Sequence, residues 1–266
     1  RPDTRTEDPD GGPAVCAQTV SGVASGAAPA WMQTKLKAIG QKPISALVDI
    51  TNFVMIDLGR PLHVYDIAKL SGPLVARKAH DGETMTALNG KDYVLDASMT
   101  VIADDRGAHD IGGIMGGEET GAADTTTEVL IECAYFTPEA IARTGQKLGL
   151  TSDARQRFER GVDPAFLDDG LAIATWLVTE HCGGTPSSVT RAGRPPLELR
   201  DIAYDPAYCA ALAGVDVPAD RQCAILESLG FLVRLGSPWT VTAPSWRRDV
   251  IGKADLVEEV VRIVGL

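Results

Sequence analysis

The sequence predicts an α+β protein in which mixed or antiparallel sheets precede a small helix-and-hairpin domain. Short apolar strands separated by turn residues run from about Leu74 to Ile102, and their Asn89-Gly90 pair is typical of a hairpin. Amphipathic helices that end at glycines flank this region, one over 31–39 before Gly40 and one from Thr137 to Gly149. Alternating strand and helix patterns of this kind favour an α+β architecture.

The chain of 266 residues is long enough for one large or two ordinary domains. Residues 1–14 are charged and rich in Gly and Pro, so we expect a flexible tail there rather than a signal peptide. We expect the main module over 15–191. A Pro- and Gly-containing linker, 192–196, then begins the small domain that we expect over 192–266.

Composition excludes several classes of protein. Hydrophobic residues make up 44% and charged residues 23%, which is typical of a folded soluble protein, and no apolar run reaches the roughly 18 residues needed to span a membrane. The five cysteines are scattered without a CxxC pair and only four histidines are present, so we expect a reducing cytoplasm and neither a zinc site nor a disulfide framework. The net charge of −11 argues against a nonspecific nucleic-acid binder.

The stretch 48–66, VDITNFVMIDLGRPLHVYD, is the first candidate site. Thr51 and Asn52 interrupt an apolar run, which predicts a strand or buried helix, and conflicts of this kind tend to mark functional sites. Asn52 and His63 together can hold a water or a substrate carbonyl. Alternatively, Asn52 caps a turn and His63 is an ordinary hydrogen-bonded histidine.

Two further stretches combine unusual residues with predicted strands or turns. The apolar strand 129–134 contains Glu132, which must face water, pair with a cation or await a donor from a ligand, because an unpaired buried carboxylate is costly. The glycine pairs of 110–118, DIGGIMGGE, predict either a turn that needs positive φ or a loop whose backbone approaches a ligand.

Charged residues are dense over 152–164, SDARQRFERGVDP. Arginine side chains there can hold phosphate or carboxylate, or the segment can form a lattice of internal ion pairs, with Arg157, Glu159 and Arg160 as anchors. Asp163-Pro164 begins the next helix, which continues to about Cys182.

The small domain is predicted to contain a helix over 219–229, a hairpin that turns at 236–238, and a last helix from Asp255. On that last helix Asp255, Glu258 and Glu259 share one face, with Asp249 shortly before it. The acids either cap the positive end of the helix or supply oxygen ligands to magnesium in one carboxylate cluster.

Five motifs together resemble the beta subunit of bacterial phenylalanyl-tRNA synthetase. They occur in the family's order, cover nearly the whole chain after about Ala14, and are specific as an ordered set: VDITNFVMIDLGRPLHVYD, GGIMGGE, VLIECAYF, SDARQRFERGVDP and PSWRRDVIGKADLVEEVVRIVGL. The resemblance implies an internal fragment that contains the editing module and then the subunit's fifth domain, incomplete at its end.

The resemblance also implies roles for individual residues. Thr51, Asn52 and His63 would line the editing pocket and hold the attacking water. Gly113 would offer its backbone to the amino acid, and Glu132 would receive the hydroxyl of a tyrosine. Because Phe lacks that donor, such a pocket would select Tyr over Phe.

Ser152 and Ala154 would shape the pocket wall, with Ser152 at a position where the family often has Thr. Lys42 stands where the family often has Arg, so a bidentate contact is not implied there. The family's magnesium near the junction with the alpha subunit would be matched by the four acids Asp249, Asp255, Glu258 and Glu259.

For the chain as a whole the resemblance implies proofreading hydrolysis of mischarged Tyr-tRNA(Phe) by a positioned water. The implied partners are the alpha subunit, in a heterotetramer, and tRNA(Phe), and ATP would serve only the full enzyme. A non-catalytic subunit-interface and tRNA-positioning scaffold is an alternative. A nucleic-acid-binding module is a third, which the acidic composition disfavours.

Overall fold

Two sheets and the helices packed against them build the first of two units, which divide after Pro196 in a computed structural model that describes residues 2–265. The helices of this unit are α1 (Ala30–Ala38), α2 (Ala46–Leu58), α3 (Pro138–Leu148), α4 (Asp153–Arg160) and α5 (Leu167–Cys182). Its strands are β1 (Thr4–Thr6), β2 (Ala14–Ser21), β3 (His63–Asp66), β4 (Leu74–Lys78), β5 (Thr84–Thr86), β6 (Asp92–Val94), β7 (Thr100–Asp104), β8 (Gly107–Ile111), β9 (Met115–Gly116), β10 (Glu128–Tyr135), β11 (Thr185–Pro186) and β12 (Thr190–Gly193).

Strand β10 is the central strand of an antiparallel sheet with the order β11-β2-β10-β3, in which β12 also pairs with β2. Helix α5 packs against β10 and β2, and α2 packs against α5. The Cys133 thiol lies 3.4 Å from the carbonyl of Leu167 and therefore faces α5. Because side chains alternate along a strand, Glu132 points to the opposite face of the sheet.

The second sheet has the order β1-β4-β7-β8-β9, in which β1 runs parallel to β4 and the remaining pairs are antiparallel. The predicted turn at Asn89-Gly90 lies in the connection between β5 and β6, which pair as a hairpin. These mixed and antiparallel sheets with helices confirm the predicted α+β class.

Most predicted helices of the first unit are present with bounds shifted by a few residues. The stretch around Thr51 and Asn52 is the helix α2, which ends at Gly59. Asn52 therefore lies inside a helix and does not cap a turn. Helix α4 occupies most of the charged segment, with Ser152 as its N-cap.

The first fourteen residues differ from the expected flexible tail. Thr4 begins β1, and the buried Asp8 accepts hydrogen bonds from Thr100 Oγ1 at 2.6 Å and from the Gly11 backbone at 3.0 Å. Lys78 Nζ lies 3.1 Å from the same carboxylate. Residues 4–12 are therefore held within the fold although their composition is charged and rich in Gly and Pro. Arg1 lies outside the described residues.

The second unit begins at Leu197, whereas the sequence places the boundary after residue 191. The difference arises because the predicted linker starts inside β12, which pairs with β2. Its elements are β13 (Asp201–Tyr204), α6 (Ala207–Ala213), α7 (Ala219–Ser228), β14 (Leu232–Arg234), β15 (Trp239–Thr242) and α8 (Lys253–Val264).

The three strands of the second unit form an antiparallel sheet with the order β13-β15-β14. The predicted hairpin corresponds to β14 and β15, but β13 and α6 are not predicted from the sequence. Side chains of all three helices and of the sheet share one core, which includes Cys209, Leu226, Val241 and Val260. Within residues 2–265, no helix has the length and apolar character that crossing a lipid bilayer requires.

Candidate active site

The pairing of β3 with β10 places His63 directly opposite Glu132, although the two residues are far apart in sequence. Opposed residues of antiparallel strands project to the same face with Cβ atoms about 5 Å apart. Both side chains therefore meet the space between this sheet and the loop that joins β8 to β9.

A narrow cavity of about 80 Å³ occupies that space. Glu132, His63 and Asp110 provide its polar wall, and Phe136 and Phe158 provide aromatic walls. The other lining residues are Pro61, Leu62, Ile102, Ile111, Gly113, Ile114, Met115, Gly116 and Ala154. The cavity thus combines a mainly apolar surface with a few polar groups, as ligand sites commonly do.

Glu132 is buried with one of its two carboxyl oxygens unpaired. The residue is 5% exposed, and within residues 2–265 its Oε1 has no hydrogen-bond partner. Burial, reinforced by the negative charge of Asp110, raises the pKa of the Glu132 carboxyl from 4.5 to about 8, while the positive charge of Arg60 lowers it. Of the alternatives open for Glu132, the structure favours a carboxyl group that awaits a donor from a ligand.

Asp110 fixes the polar wall from the other sheet. It accepts a hydrogen bond from the hydroxyl of Tyr65 and another from the Gly117 backbone at 3.1 Å. The Tyr65 ring packs against His63 with 4.4 Å between centroids, so the imidazole is held beside Glu132. His63 Nε2 lies 3.8 Å from Asp110 and forms no hydrogen bond within the described residues, which leaves it available to a ligand or a water.

A wider cleft of about 450 Å³ adjoins the narrow cavity and shares His63, Met115 and Ala154 with it. Helix α2 contributes Val48, Thr51, Asn52 and Met55, which the 3.6-residue period places on one face. The remaining lining residues are Leu47, Leu62, Val64, Leu88, Asn89, Ile114, Gly116, Gly121, Ala122, Ser152 and Asp153. His63 and Ala154 therefore mark the boundary between the broad cleft and the narrow cavity.

Most of the predicted site residues thus lie together. Thr51 donates its hydroxyl hydrogen bond to the Val48 carbonyl at 2.8 Å, within its own helix. Ser152 donates to the Ile114 carbonyl at 2.5 Å and accepts from the Arg155 backbone at 2.9 Å. Its hydroxyl thereby joins the N-terminus of α4 to the loop between β8 and β9.

Gly113 and Lys42 have contrasting positions. Gly113 lines the narrow cavity with φ of +70°, and a Cβ there would lie 2.9 Å from both Ile141 Cδ1 and Phe136 Cδ2. Glycine is therefore required for the loop to approach the cavity this closely. Lys42 is exposed between α1 and α2 and lines neither the cavity nor the cleft.

The charged residues of α4 form internal pairs, as the ion-pair alternative predicts. Arg155 Nε donates to Glu159 at 3.0 Å, and Arg157 Nε donates to the carbonyl of Met55 on α2 at 3.0 Å. Arg160 differs from the predicted anchor because it is exposed and has neither a hydrogen bond nor an ion pair with any described residue.

Replacing Arg157 by alanine is expected to lower the free energy of unfolding by about 1 kcal/mol, because a partly exposed charged hydrogen bond between α4 and α2 is lost. Urea unfolding followed by circular dichroism measures the change. Arg160→Ala is the matched control and should leave stability within about 0.5 kcal/mol of the parent. Equal losses for the two variants would contradict the assigned contact.

The predicted carboxylate cluster of the second unit is not formed. Arg247 donates to Asp249 at 2.9 and 2.7 Å and to Glu259 at 2.8 Å, and these bonds lower the pKa of both carboxyls. Their negative charges are therefore already compensated. In the described part of the chain, no three His, Cys, Asp or Glu side chains are grouped to hold a metal ion.

Asp255 has a helix-capping contact. Its Oδ2 accepts hydrogen bonds from the backbone N–H groups of Ile251 and Gly252, both at 2.8 Å, at the start of α8. Glu258 is exposed on the same helix. Asp255 therefore caps the start of the helix, as the helix-end interpretation predicts. Its partner in this cap is Gly252. The four acids together do not fit a magnesium site.

Sequence reasoning misses three buried residues around Glu132, of which only Asp110 lines the narrow cavity. Arg60, Tyr65 and Asp110 are buried around Glu132, yet each lies inside a quoted motif without a spacing that predicts its role. A lone acid before a glycine pair could have suggested Asp110 as a partner of the loop backbone. No sequence signal indicates that Arg60, between a glycine and a proline, is buried.

Comparison with known families follows the division of the fold. A model of the B3/4 domain matches residues 11–183, and a model of the tRNA synthetase B5 domain matches residues 202–266. The chain therefore contains a B3/4 domain followed by a B5 domain.

Two curated relatives align with nearly the whole of this chain. The chain is 60% identical over 264 residues to the phenylalanine–tRNA ligase beta subunit of Novosphingobium aromaticivorans, covering 99% of this chain and 33% of the relative. The corresponding subunit of Zymomonas mobilis is 54% identical over 260 residues, covering 98% and 33%. This chain belongs to the phenylalanine–tRNA ligase beta-subunit family, and it spans about a third of the length of these relatives.

The comparison with solved structures gives a more distant match. An N-terminal fragment of the phenylalanyl-tRNA synthetase beta subunit from Pyrococcus horikoshii aligns with a TM-score of 0.47 and 12% identity. The alignment covers 99% of this chain and 74% of that chain.

Proposed function

We propose that the first unit hydrolyses mischarged Tyr-tRNA(Phe) and so proofreads the product of a phenylalanine–tRNA ligase. The observation that carries this proposal is Glu132, a buried carboxyl group with an unpaired oxygen at the narrow cavity. A ligand that supplies a hydrogen-bond donor to Glu132 removes the desolvation cost of an unpaired buried oxygen.

The tyrosine side chain fits this requirement. Its ring packs against the aromatic wall that Phe136 and Phe158 form together, and its phenolic hydroxyl donates to Glu132 Oε1. Phenylalanine places the same ring in the cavity but leaves Glu132 unpaired, so the site favours tyrosine by the free energy of that contact. Accepting this hydrogen bond also stabilises the ionised carboxylate and lowers the pKa of Glu132 from its value near 8.

The hydrolytic step takes place in the wider cleft, next to His63. An aminoacyl ester is already activated, so a water needs accurate placement more than a strong nucleophile. His63, Asn52 and Thr51 hold that water against the ester carbonyl carbon. The water oxygen forms the new bond to carbon, the ester C–O bond breaks, and a proton from the water passes to the departing tRNA oxygen, so that tyrosine and the tRNA hydroxyl are released.

The proposal also covers the partners with which this chain acts. We infer that the chain acts with an alpha subunit, in a heterotetramer, on tRNA(Phe) in the cytoplasm, and that ATP serves aminoacylation by the full ligase. Asp249 and Glu259 already pair with Arg247, and Asp255 caps a helix, so no step of the proposal involves magnesium.

Deacylation assays test the function directly. The purified chain is incubated with Tyr-tRNA(Phe) and with Phe-tRNA(Phe), and released amino acid is measured above the spontaneous rate. Faster hydrolysis of Tyr-tRNA(Phe) is expected. If the folded chain releases neither amino acid while still binding tRNA(Phe), the scaffold alternative is favoured instead.

Replacing His63 by alanine is expected to lower the rate about tenfold for both substrates, the value of roughly one hydrogen bond to the water, with little change in preference. Single-turnover deacylation measures both rates. His80→Ala is the matched control, since His80 is exposed and lines neither the cavity nor the cleft. A changed Tyr/Phe ratio without a loss of rate would place His63 in recognition rather than in hydrolysis.

A further inference from the structure

Arg60 is a buried arginine with an incomplete set of partners. It is 1% exposed, and its Nε donates to the Pro61 carbonyl at 3.2 Å and its Nη2 to the Ala134 carbonyl. Its guanidinium carbon lies 5.3 Å from the centre of the Phe158 ring. Within the described residues, Nη1 has no hydrogen-bond partner.

A glycine inside a helix leaves the space that the Arg60 side chain occupies. Gly170 lies inside α5, and a Cβ there would be 2.7 Å from Arg60 Cγ. Glycine is less favourable than alanine in a helix interior, and burying a guanidinium without full compensation is destabilising. A neutral side chain at position 60 would avoid the cost of the buried charge, so packing alone does not account for an arginine there.

The position of Arg60 connects it to the selective carboxyl group. Ala134, whose main-chain carbonyl accepts its hydrogen bond, is two residues beyond Glu132 on β10, about 7 Å along the strand. Phe158 lies under the guanidinium and also lines the narrow cavity. Arg60 therefore lies behind the cavity wall, beside Glu132 and away from the ligand space.

Other groups also act on Glu132. Asp110 on β8 opposes Arg60 by raising the pKa of the Glu132 carboxyl. His63 and Tyr65 lie on β3, and the buried thiols Cys16 and Cys133 lie on β2 and β10. Among these groups Arg60 is the permanent positive charge, so its removal shifts the balance toward the neutral carboxyl.

We propose that Arg60 is a positioning residue whose positive charge, behind the cavity wall, stabilises the carboxylate form of Glu132 and thereby sets the pH range over which the site selects tyrosine. The consequence for selectivity rests on the proposed function. The effect on the charge of Glu132 is a property of the chain itself.

A binding experiment with stable analogues tests the effect on selectivity. Tyrosine and phenylalanine are each linked as amides to 3′-amino-3′-deoxyadenosine, and their affinities for the 266-residue chain are measured by calorimetry across a pH series. The Tyr/Phe affinity ratio of the parent chain should rise with pH as Glu132 ionises. Arg60→Gln should move the midpoint of that rise upward by about one pH unit, whereas Arg60→Lys should stay near the parent.

A ligand-free measurement tests the charge effect independently. The Glu132 side-chain carboxyl is followed by ¹³C NMR during a pH titration, and its signal is identified by its loss in Glu132→Gln. Arg60→Gln should raise the midpoint of this titration, while Arg143→Gln, an exposed control on α3, should not. Arg60→Met fills the same space over Phe158 and replaces Arg60→Gln if that variant does not fold.

The two failures are distinguishable. An unchanged Glu132 midpoint in a folded Arg60→Gln or Arg60→Met variant overturns the inference about Arg60, whatever the selectivity. A shifted midpoint together with no preference for the tyrosyl analogue at any pH supports the charge effect and overturns the proposed function.

Discussion

Replacing Glu132 by alanine is expected to reduce discrimination between Tyr-tRNA(Phe) and Phe-tRNA(Phe) by about one to two decades. The physical reason is the loss of one hydrogen bond between the phenolic hydroxyl and a charged acceptor, roughly 1.5–3 kcal/mol. The rate for Tyr-tRNA(Phe) should fall, while the rate for Phe-tRNA(Phe) should hold or rise because no buried carboxyl remains unpaired. Single-turnover deacylation of both substrates gives the ratio.

Glu128→Ala is the matched control for this experiment. Glu128 begins the same strand but is exposed and lines neither the cavity nor the cleft. Its replacement should leave both rates unchanged. A Glu132→Ala variant that keeps the parent's Tyr/Phe ratio would show that another group recognises the hydroxyl.

Replacing Glu132 by glutamine is expected to stabilise the first unit at neutral and alkaline pH relative to acidic pH. The carboxyl pKa is raised from 4.5 to about 8 in the folded chain. Below the lower value both states are protonated, so the group has no effect on folding. Between the two values only the folded state keeps the proton, and stability falls by about 1.4 kcal/mol per pH unit. At pH 7 this cost reaches about 3 kcal/mol, which glutamine removes.

Urea unfolding at pH 5 and at pH 8 measures this effect. The difference in unfolding free energy between Glu132→Gln and the parent should grow by several kcal/mol over that interval. Glu128→Gln, at the exposed end of the same strand, should show no such growth. A constant difference between Glu132→Gln and the parent would mean that the carboxyl is already ionised in the folded chain at both pH values, for example because water reaches it there.

The sequence indicates the site where a local pattern conflicts with its surroundings. An acid inside an apolar strand and a Thr-Asn pair inside an apolar run are visible without a structure, and both line the observed cavities. The α+β class follows from turn residues and helix ends, which depend on neighbours in the chain.

The remaining features depend on contacts between distant segments. That β3 pairs with β10 in the register that opposes His63 to Glu132 is not specified by either strand alone. Arg60 appears as an ordinary surface arginine until the interior glycine of α5 leaves space for it. The acids of the second unit suggest a cluster by helical spacing, but Arg247 comes from outside the helix and neutralises two of them.

The unpaired oxygen of Glu132 also has an evolutionary consequence. Under the proposed function, the residue at position 132 that gives the most stable fold differs from the residue that gives selectivity, since a neutral side chain of similar shape would stabilise the chain. Selection for heat resistance alone, in a lineage or in a laboratory library, would therefore replace this acid early. Selectivity for tyrosine would then persist only while mistranslation of phenylalanine codons lowers the fitness of the cell.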